Sequence, residues 1–467
     1  MFRGACPWAV LAGFALAPGL LVLRVSSGFG RVSIPSLRRS LACSVASAPA
    51  RYAAKHGGAD GFSLVASAKE RARMNPESPM MSCPRRYPFG QRHTLDLEPD
   101  YRRCGPVTAV ELPSGATGWL VTDHALVRQV LADPRFSREQ ANRPHVARLS
   151  TEVLPSAAIL ATDPPRHTAL RTLIAPMFSP RQVAALEPAV TSLAHRLVDE
   201  LVAGSEPADI VAGFTEPFAA AVVCEIFGVP EHFRDQAFAL GDALTARDAT
   251  PESLAAARAE CESLARAMAV ENPTGLFGLL GESAEGDEEV LNLIIACLIG
   301  GRGSPTVFLS SAVFALLREP HQYRRLVEQP KSIPAAVEEL LRFVPVGVGG
   351  GFTRVATVEV QLGPVLVRAG DAVIPAMHAA GRDPRVFDDP DTLVLDRGAR
   401  VPHLAFGHGT HYCVGAGLAR AEARIALETL TTRLPGLRLA DPAEGGAWRT
   451  GRVVRSLERL DLAWTRD

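Results

Sequence analysis

Beyond Pro84, apolar residues recur at helical spacing over about 124–132, 166–178, 181–203, 215–227, 232–246, 252–270, 286–318, 333–343 and 416–434. Spacing of three and four lays one apolar stripe along a helix, which a neighbour must cover. Alternation of period two, the mark of a strand, is confined to about 357–374 and 450–464. A short hairpin is expected where Val110–Leu112 and Trp119–Val121 flank the turn Ser114–Gly118. No internal repeat is evident. Many long helices with a few short hairpins predict a mainly α protein with small β-sheets. The segment 286–318 is apolar all round, which predicts a helix buried in the centre. Its middle, Gly300-Gly301-Arg302-Gly303-Ser304-Pro305, has poor helix propensity, so a break and a site are expected there.

Composition changes this picture little over most of the chain. The 467 residues are 47% hydrophobic and 21% charged with a net charge of −1, which suits one large fold and gives no reason to expect a nucleic-acid partner. The eight cysteines show no paired spacing and no CxxC, as expected of reduced thiols in a cytoplasmic protein. The beginning differs. From Met1 to Ala59 there is no acidic residue, and an apolar run from Trp8 to Leu23 is interrupted by Gly13, Pro18 and Gly19. Residues 1–79 are read as a non-domain extension ahead of a domain at 80–467. The preferred origin is a reading frame extended past the true start at Met74, Met80 or Met81; a targeting segment or anchor is the alternative. No membrane is expected for 80–467.

The chemistry concentrates in His403-Leu-Ala-Phe406-Gly407-His408-Gly409-Thr410-His411-Tyr412-Cys413-Val414-Gly415, just before the last helix. The glycines allow tight turns and close backbone approach to a flat ligand. A cysteine at a helix N-terminus meets unpaired amides and the positive end of the dipole, which favour thiolate. Such a thiolate can bind haem iron and donate the electron density that helps break an O–O bond. The bland reading of any one cysteine is a buried structural thiol. The whole spacing F-G-x-G-x-H-x-C-x-G argues for haem.

This loop resembles the haem-binding signature of the cytochrome P450 family, and the resemblance covers about residues 85–467. It implies the triangular haem-thiolate prism, haem b (iron protoporphyrin IX), and Cys413 as metal ligand within a loop that includes Phe406, Gly407 and Gly415. Glu339-Leu-Leu-Arg342 matches the family's E-x-x-R, implying a buried lock with Arg397 or His403 as third partner. Asp163-Pro-Pro-Arg-His167-Thr-Ala-Leu-Arg171 matches the bacterial D-P-P-x-H-x-x-x-R helix. His167, Arg171, Arg354 and His411 are thereby implied as donors to the haem propionates. The chain carries no flavin or nicotinamide fingerprint, so electrons from NAD(P)H are expected through a ferredoxin and ferredoxin reductase. Arg420 and Arg424, four apart beyond Cys413, are candidates to meet the ferredoxin, or simply keep that surface soluble.

The chain departs from the family where most members have A-G-x-[DE]-T. Gly303 stands at the acid and Ser304 at the threonine. The usual pair relays protons; glycine cannot, while the serine hydroxyl can hold a water. Pro305 has no N–H, so the Gly301 carbonyl loses its helical partner. Arg302 points either to solvent or into the pocket, and with Gly303 and Ser304 completes the candidate catalytic group. Cyclodipeptide-oxidising P450s, such as the cyclo-dityrosine coupling enzyme, resemble this chain in that departure and in scattered stretches, among them Glu271-Asn-Pro273, Leu366-Val-Arg368 and Trp448-Arg-Thr450. The resemblance implies a small-molecule substrate that is a 2,5-diketopiperazine, with tryptophan favoured over tyrosine because valines stand where the cyclo-dityrosine enzyme has polar hairpin residues. Oxidative C–C or C–N coupling leads. Hydroxylation of another secondary metabolite (macrolide, terpenoid or steroid) is the alternative, and a haem-binding sensor without turnover is the alternative from another class. The expected pocket is Val153, Leu154, Ile159, Gly300, Ser304, Val346, Val348, Val453 and Val454, residue types that elsewhere are simply core.

Overall fold

Asp123 accepts a hydrogen bond from the Leu126 amide at 2.8 Å and so opens helix α1, His124–Ala132. The chain is seen in a computed structural model that describes residues 84–465, apart from 91–93, 144–145, 148, 150–157, 245–249, 274, 281–286, 348–351, 399–400, 444 and 450–454. The expectations for residues 1–79 and for Val153, Leu154, Val348, Val453 and Val454 lie outside the described residues. Helix α2 is Arg166–Ile174, continued by a tight turn at Ala175–Phe178. Ser179 caps α3, Pro180–Ala203, with Pro180 in the first turn where its missing N–H costs nothing. Then come α4 (Glu216–Phe227), α5 (Arg234–Leu244), α6 (Pro251–Glu271), α7 (Asp287–Arg318), α8 (Pro320–Glu328), α9 (Ile333–Phe343) and α10 (Ala416–Arg433).

The apolar stripes of α3, α4, α7, α9 and α10 meet in one large cluster, in which Phe214, Phe218, Leu316, Leu340 and Leu430 are all 0% exposed. A second cluster joins α2, α5, α6 and the first half of α7 through Ile174, Leu240, Met268 and Leu293. Both clusters hold the two ends of α7. Residues Glu288–Arg318 are long and apolar enough to cross a membrane. Their burial in these clusters makes α7 the core helix.

Two expectations are corrected. Helix α7 runs unbroken through Gly300–Pro305 for 32 residues, about 48 Å at the usual rise. Packing of both flanks outweighs the local propensity. The helix is also not buried throughout, because Gly300, Gly303 and Ser304 are exposed between buried stretches at 290–294 and 307–317. Helix α8 escaped the periodic reading because its buried face is partly polar. Gln322 is buried and donates to the Leu393 carbonyl at 2.9 Å.

A six-stranded sheet stands beside the helices, in the order Arg85–Arg86, Val107–Glu111, Thr117–Val121, Ala372–Pro375, Arg354–Ala356, Phe136–Ser137. The expected hairpin is its antiparallel pair, with Val107 opposite Val121 and Glu111 opposite Thr117. At the far edge Ser137 lies opposite Val355, which brings Arg138 beside Arg354.

The short helix Met377–Ala380 leads out of the sheet and carries His378, whose ring meets Tyr101 edge-on at 4.9 Å. Its Nε2 is enclosed and has no partner, and burial, helped by Arg455 and Arg382, pushes its pKa down to about 3. A histidine held neutral in the fold stabilises fully above its unfolded value near 6.5 and less as pH falls below it, because the unfolded chain then takes the proton. At pH 5 this one group should cost about 1–2 kcal/mol. Denaturant midpoints at pH 7 and pH 5 check it, since His378→Phe should lose less stability between them than the parent chain.

Candidate active site

The loop before α10 is shaped by its own backbone. Gly407 and Gly409 sit at φ 73° and 72°, the left-handed region that favours glycine. A side chain at Gly409 would also come within 2.6 Å of the Leu131 carbonyl at the end of α1. The Gly407 amide donates to the Leu404 carbonyl and the Cys413 amide to the Phe406 carbonyl, both at 2.9 Å. The loop is thus closed on itself with Cys413 at its exit. Phe178 lies 3.5 Å from where a Cβ on Gly415 would stand, an ordinary packing distance, so the structure itself does not demand glycine there.

Of the five cysteines among the described residues, Cys413 alone is exposed. The Gly415 amide donates to its sulfur, and Arg171 and Arg420 add positive field, yet the protein crowded around the thiol outweighs them and its pKa rises. The backbone amide at the helix terminus does favour thiolate, but by less than burial opposes it. Iron bound at the sulfur would add the positive charge that favours the thiolate.

The lock is explicit. Arg342 donates from Nε and Nη2 to the two Glu339 oxygens at 2.7 and 2.8 Å, and the two side chains are 2% and 4% exposed. Glu339 also accepts from the Val394 amide at 2.9 Å and from Arg397 Nε at 3.1 Å. Arg342 continues to the carbonyls of Gly381 and Pro390, each at 2.8 Å. Arg397 is the third partner. His403 is not, for it bonds Glu338 at 3.2 Å. Glu338 also accepts from Arg420 Nε at 2.6 Å, and Arg424 pairs with Glu187 and Glu428. Both arginines named as candidates to meet a ferredoxin pair with carboxylates of their own chain while staying partly exposed.

Above the loop, His167 and His411 stack tilted with ring centroids 4.1 Å apart. His167 Nδ1 and Arg354 Nη1 are buried polar atoms without partners, and the two residues are 2% and 4% exposed. Burial first, then neighbouring cations, pushes His411 down to about 2 and lowers His167 as well, while burial, opposed by Asp163, pushes Arg354 down to about 10. The carboxylate nearest to them, Asp163, is already engaged by the Ser137 hydroxyl and the Arg138 amide. Buried donors without acceptors, each penalised for carrying charge, describe a place built for an anion. Two porphyrin propionates fit that description, so the residues present suit haem.

On α7, a Cβ at Gly300 or Gly303 would meet nothing within 4 Å, so both look onto open space. Gly301 is different, because a Cβ there would come within 2.6 Å of Val223 on α4. Arg302 is corrected as a catalytic candidate. Its Nη2 donates to Glu216 at 2.5 Å and its Nη1 to Asp242 at 3.1 Å, with the guanidinium 5.0 Å from the Phe238 ring. It joins α4 and α5 to α7 and has no proton to offer the open space. Ile159 is 9% exposed and packs in the second core cluster. Val346 is half-buried, and its carbonyl accepts from the Arg455 amide at 3.1 Å. Arg138, a buried neighbour of Arg354, went unnoticed in the sequence, where it carries no motif.

The helical fold, the self-closed cysteine loop and the buried donors without partners beside it are those of an oxidoreductase of the haem-thiolate class. Residues 286–434 match the family model Cytochrome P450. The chain is 41% identical over 394 residues to nocardicin C N-oxygenase of Nocardia uniformis subsp. tsuyamanensis, covering 81% of this chain and 98% of that one. It is 37% identical over 395 residues to mycinamicin IV hydroxylase/epoxidase of Micromonospora griseorubida, covering 82% and 99%. The crystal structure of HinD with NMFT and NO superposes with a TM-score of 0.75 at 39% identity, covering 82% of this chain and all of that one. The chain belongs to the cytochrome P450 family.

Proposed function

We propose that this P450 is a monooxygenase that tailors a secondary metabolite, with Cys413 as the iron ligand and His167, Arg171, Arg354 and His411 holding the propionates. Domain 80–467 carries all of this chemistry. The carrying observation is the open stretch of α7, where Gly300 and Gly303 leave room beside Ser304 for a bulky molecule. Haem supplies the activation of dioxygen. Ser304 holds a water at the open face and passes its proton on, which is the acid–base work left to this helix. The two relatives named above act on nocardicin C and mycinamicin IV, which supports a substrate of that general kind. Electrons come from NAD(P)H through a ferredoxin and its reductase, in the cytoplasm.

A second reading rests on Gly303. With no carboxyl beside Ser304, proton delivery is weaker than in the family's usual pair, which favours coupling of an aromatic cyclodipeptide over oxygen insertion. The same experiment separates the two. A panel of nocardicin C, mycinamicin IV, other macrolides and cyclodipeptides is titrated against the Soret band, and products of the binders are weighed. The first reading expects one of the first three to bind and to gain one oxygen atom; a cyclodipeptide joined to a second molecule without added oxygen reverses the order. Ser304→Ala should lower product formation by about 10² while leaving the binding spectrum intact. Unchanged turnover would remove Ser304 from the proton path.

A further inference from the structure

Arg138 is 6% exposed and follows the edge strand Phe136–Ser137 that pairs with Arg354–Ala356. Its Nη1 donates to the Thr353 carbonyl at 2.7 Å, the residue before Arg354, and its Nε to the Leu160 carbonyl at 2.9 Å. Its amide donates to Asp163 Oδ1 at 2.9 Å, while the Ser137 hydroxyl donates to the other oxygen of the same carboxylate. Asp163 stands four residues before His167, at the entry to α2. One short segment therefore clips together the two elements that carry Arg354 and His167. The Phe352 ring covers the guanidinium, with 4.5 Å from its carbon to the ring centroid.

Among the described residues no carboxylate bonds this guanidinium, and Nη2 has no partner. Burial disfavours this guanidinium's charge most and a second one, Arg354, stands close enough to repel it, while Asp163, bonded to the Arg138 amide and not to its guanidinium, pulls the other way. One carboxylate, Asp163, faces two like charges held under cover and leaves a net positive charge that a further anion would balance. The backbone bonds of Arg138 fix its position but do not neutralise it.

We propose that Arg138 is a positioning residue for the acidic arms of haem, setting the Arg354 strand against α2 and adding a buried positive charge beside the propionates. This rests on the propionate reading of Arg354 and His167, and the test separates the two. Full-length, haem-loaded protein is prepared with Arg138→Met, Arg138→Lys and, for reference, Arg354→Leu. Haem loss to excess apomyoglobin and the iron midpoint potential are measured. Arg138→Met should lose haem about tenfold faster and shift the potential to more negative values, because a cation near iron favours the reduced state. Arg138→Lys should restore the potential but hold haem less well than the parent, since one ammonium cannot reproduce the fork on two carbonyls. If Arg138→Met fails to fold, Arg138→Gln, equally uncharged, should show the same potential shift. A potential unmoved by loss of the Arg138 charge, while Arg354→Leu moves it, overturns the proposal and spares the propionate reading. If Arg354→Leu moves neither quantity, the propionate reading itself falls.

Discussion

Cys413→His is expected to yield a pigmented protein whose turnover falls by at least about 10³, equivalent to about 4 kcal/mol of barrier. The loop supports a ligand here by its backbone, through the Cys413 amide to the Phe406 carbonyl and the left-handed Gly407 and Gly409. None of these needs the sulfur, so the loop should survive the change and haem should still bind. The thiolate's electron donation is what disappears. Imidazole is neutral and a weaker donor, and the surrounding Arg171 and Arg420 do not compensate for it. The ferrous–CO Soret band should move from the red-shifted thiolate position to that of imidazole-ligated haem. Turnover retained within tenfold would mean that the sulfur is not the electronic source.

Glu339→Gln is expected to destabilise the fold by about 3–5 kcal/mol, the usual result of stripping one partner from a buried ion pair. Arg342, 2% exposed at its side chain, would keep its charge with only the carbonyls of Gly381, Pro390 and Thr392 and a neutral amide for company. Arg397 and the Val394 amide would lose the same acceptor, and these lie in the segment that leads to His403 and the cysteine loop. Haem retention should therefore fall together with stability. Denaturant midpoints and the haem-to-protein absorbance ratio measure the two effects. Replacing both partners, Glu339→Leu with Arg342→Met, should cost less than Glu339→Gln alone, because no uncompensated charge is left behind.

Helix positions were legible because each long helix buries one stripe, as at Leu193, Leu197 and Leu201 on α3. Helix α8 was hidden by its buried Gln322, and the break foreseen at Gly300–Pro305 is absent because packing at both ends of α7 outweighs local propensity. At the site, contiguous motifs could be read. The loop, the Glu339–Arg342 pair and the His167–Arg171 turn each sit within a few residues, and the structure sets His167 against His411 of the loop and Arg397 against Glu339. Arg138, Arg302 and His403 could not be read in the same way. Their partners are Thr353, Asp242 and Glu338, separated by 215, 60 and 65 positions, and only the folded chain decides which carboxylate or carbonyl each one meets. Arg420 shows the same limit, since an exposed-looking cation in sequence proves to be bound to Glu338 across 82 positions.

X-ray absorption at the iron edge of the purified, haem-loaded protein measures the atom nearest the metal directly. With Cys413 as the proposed ligand, one sulfur neighbour is expected in the parent chain, replaced by nitrogen in Cys413→His. An iron shell made only of nitrogen and oxygen in the parent would contradict it.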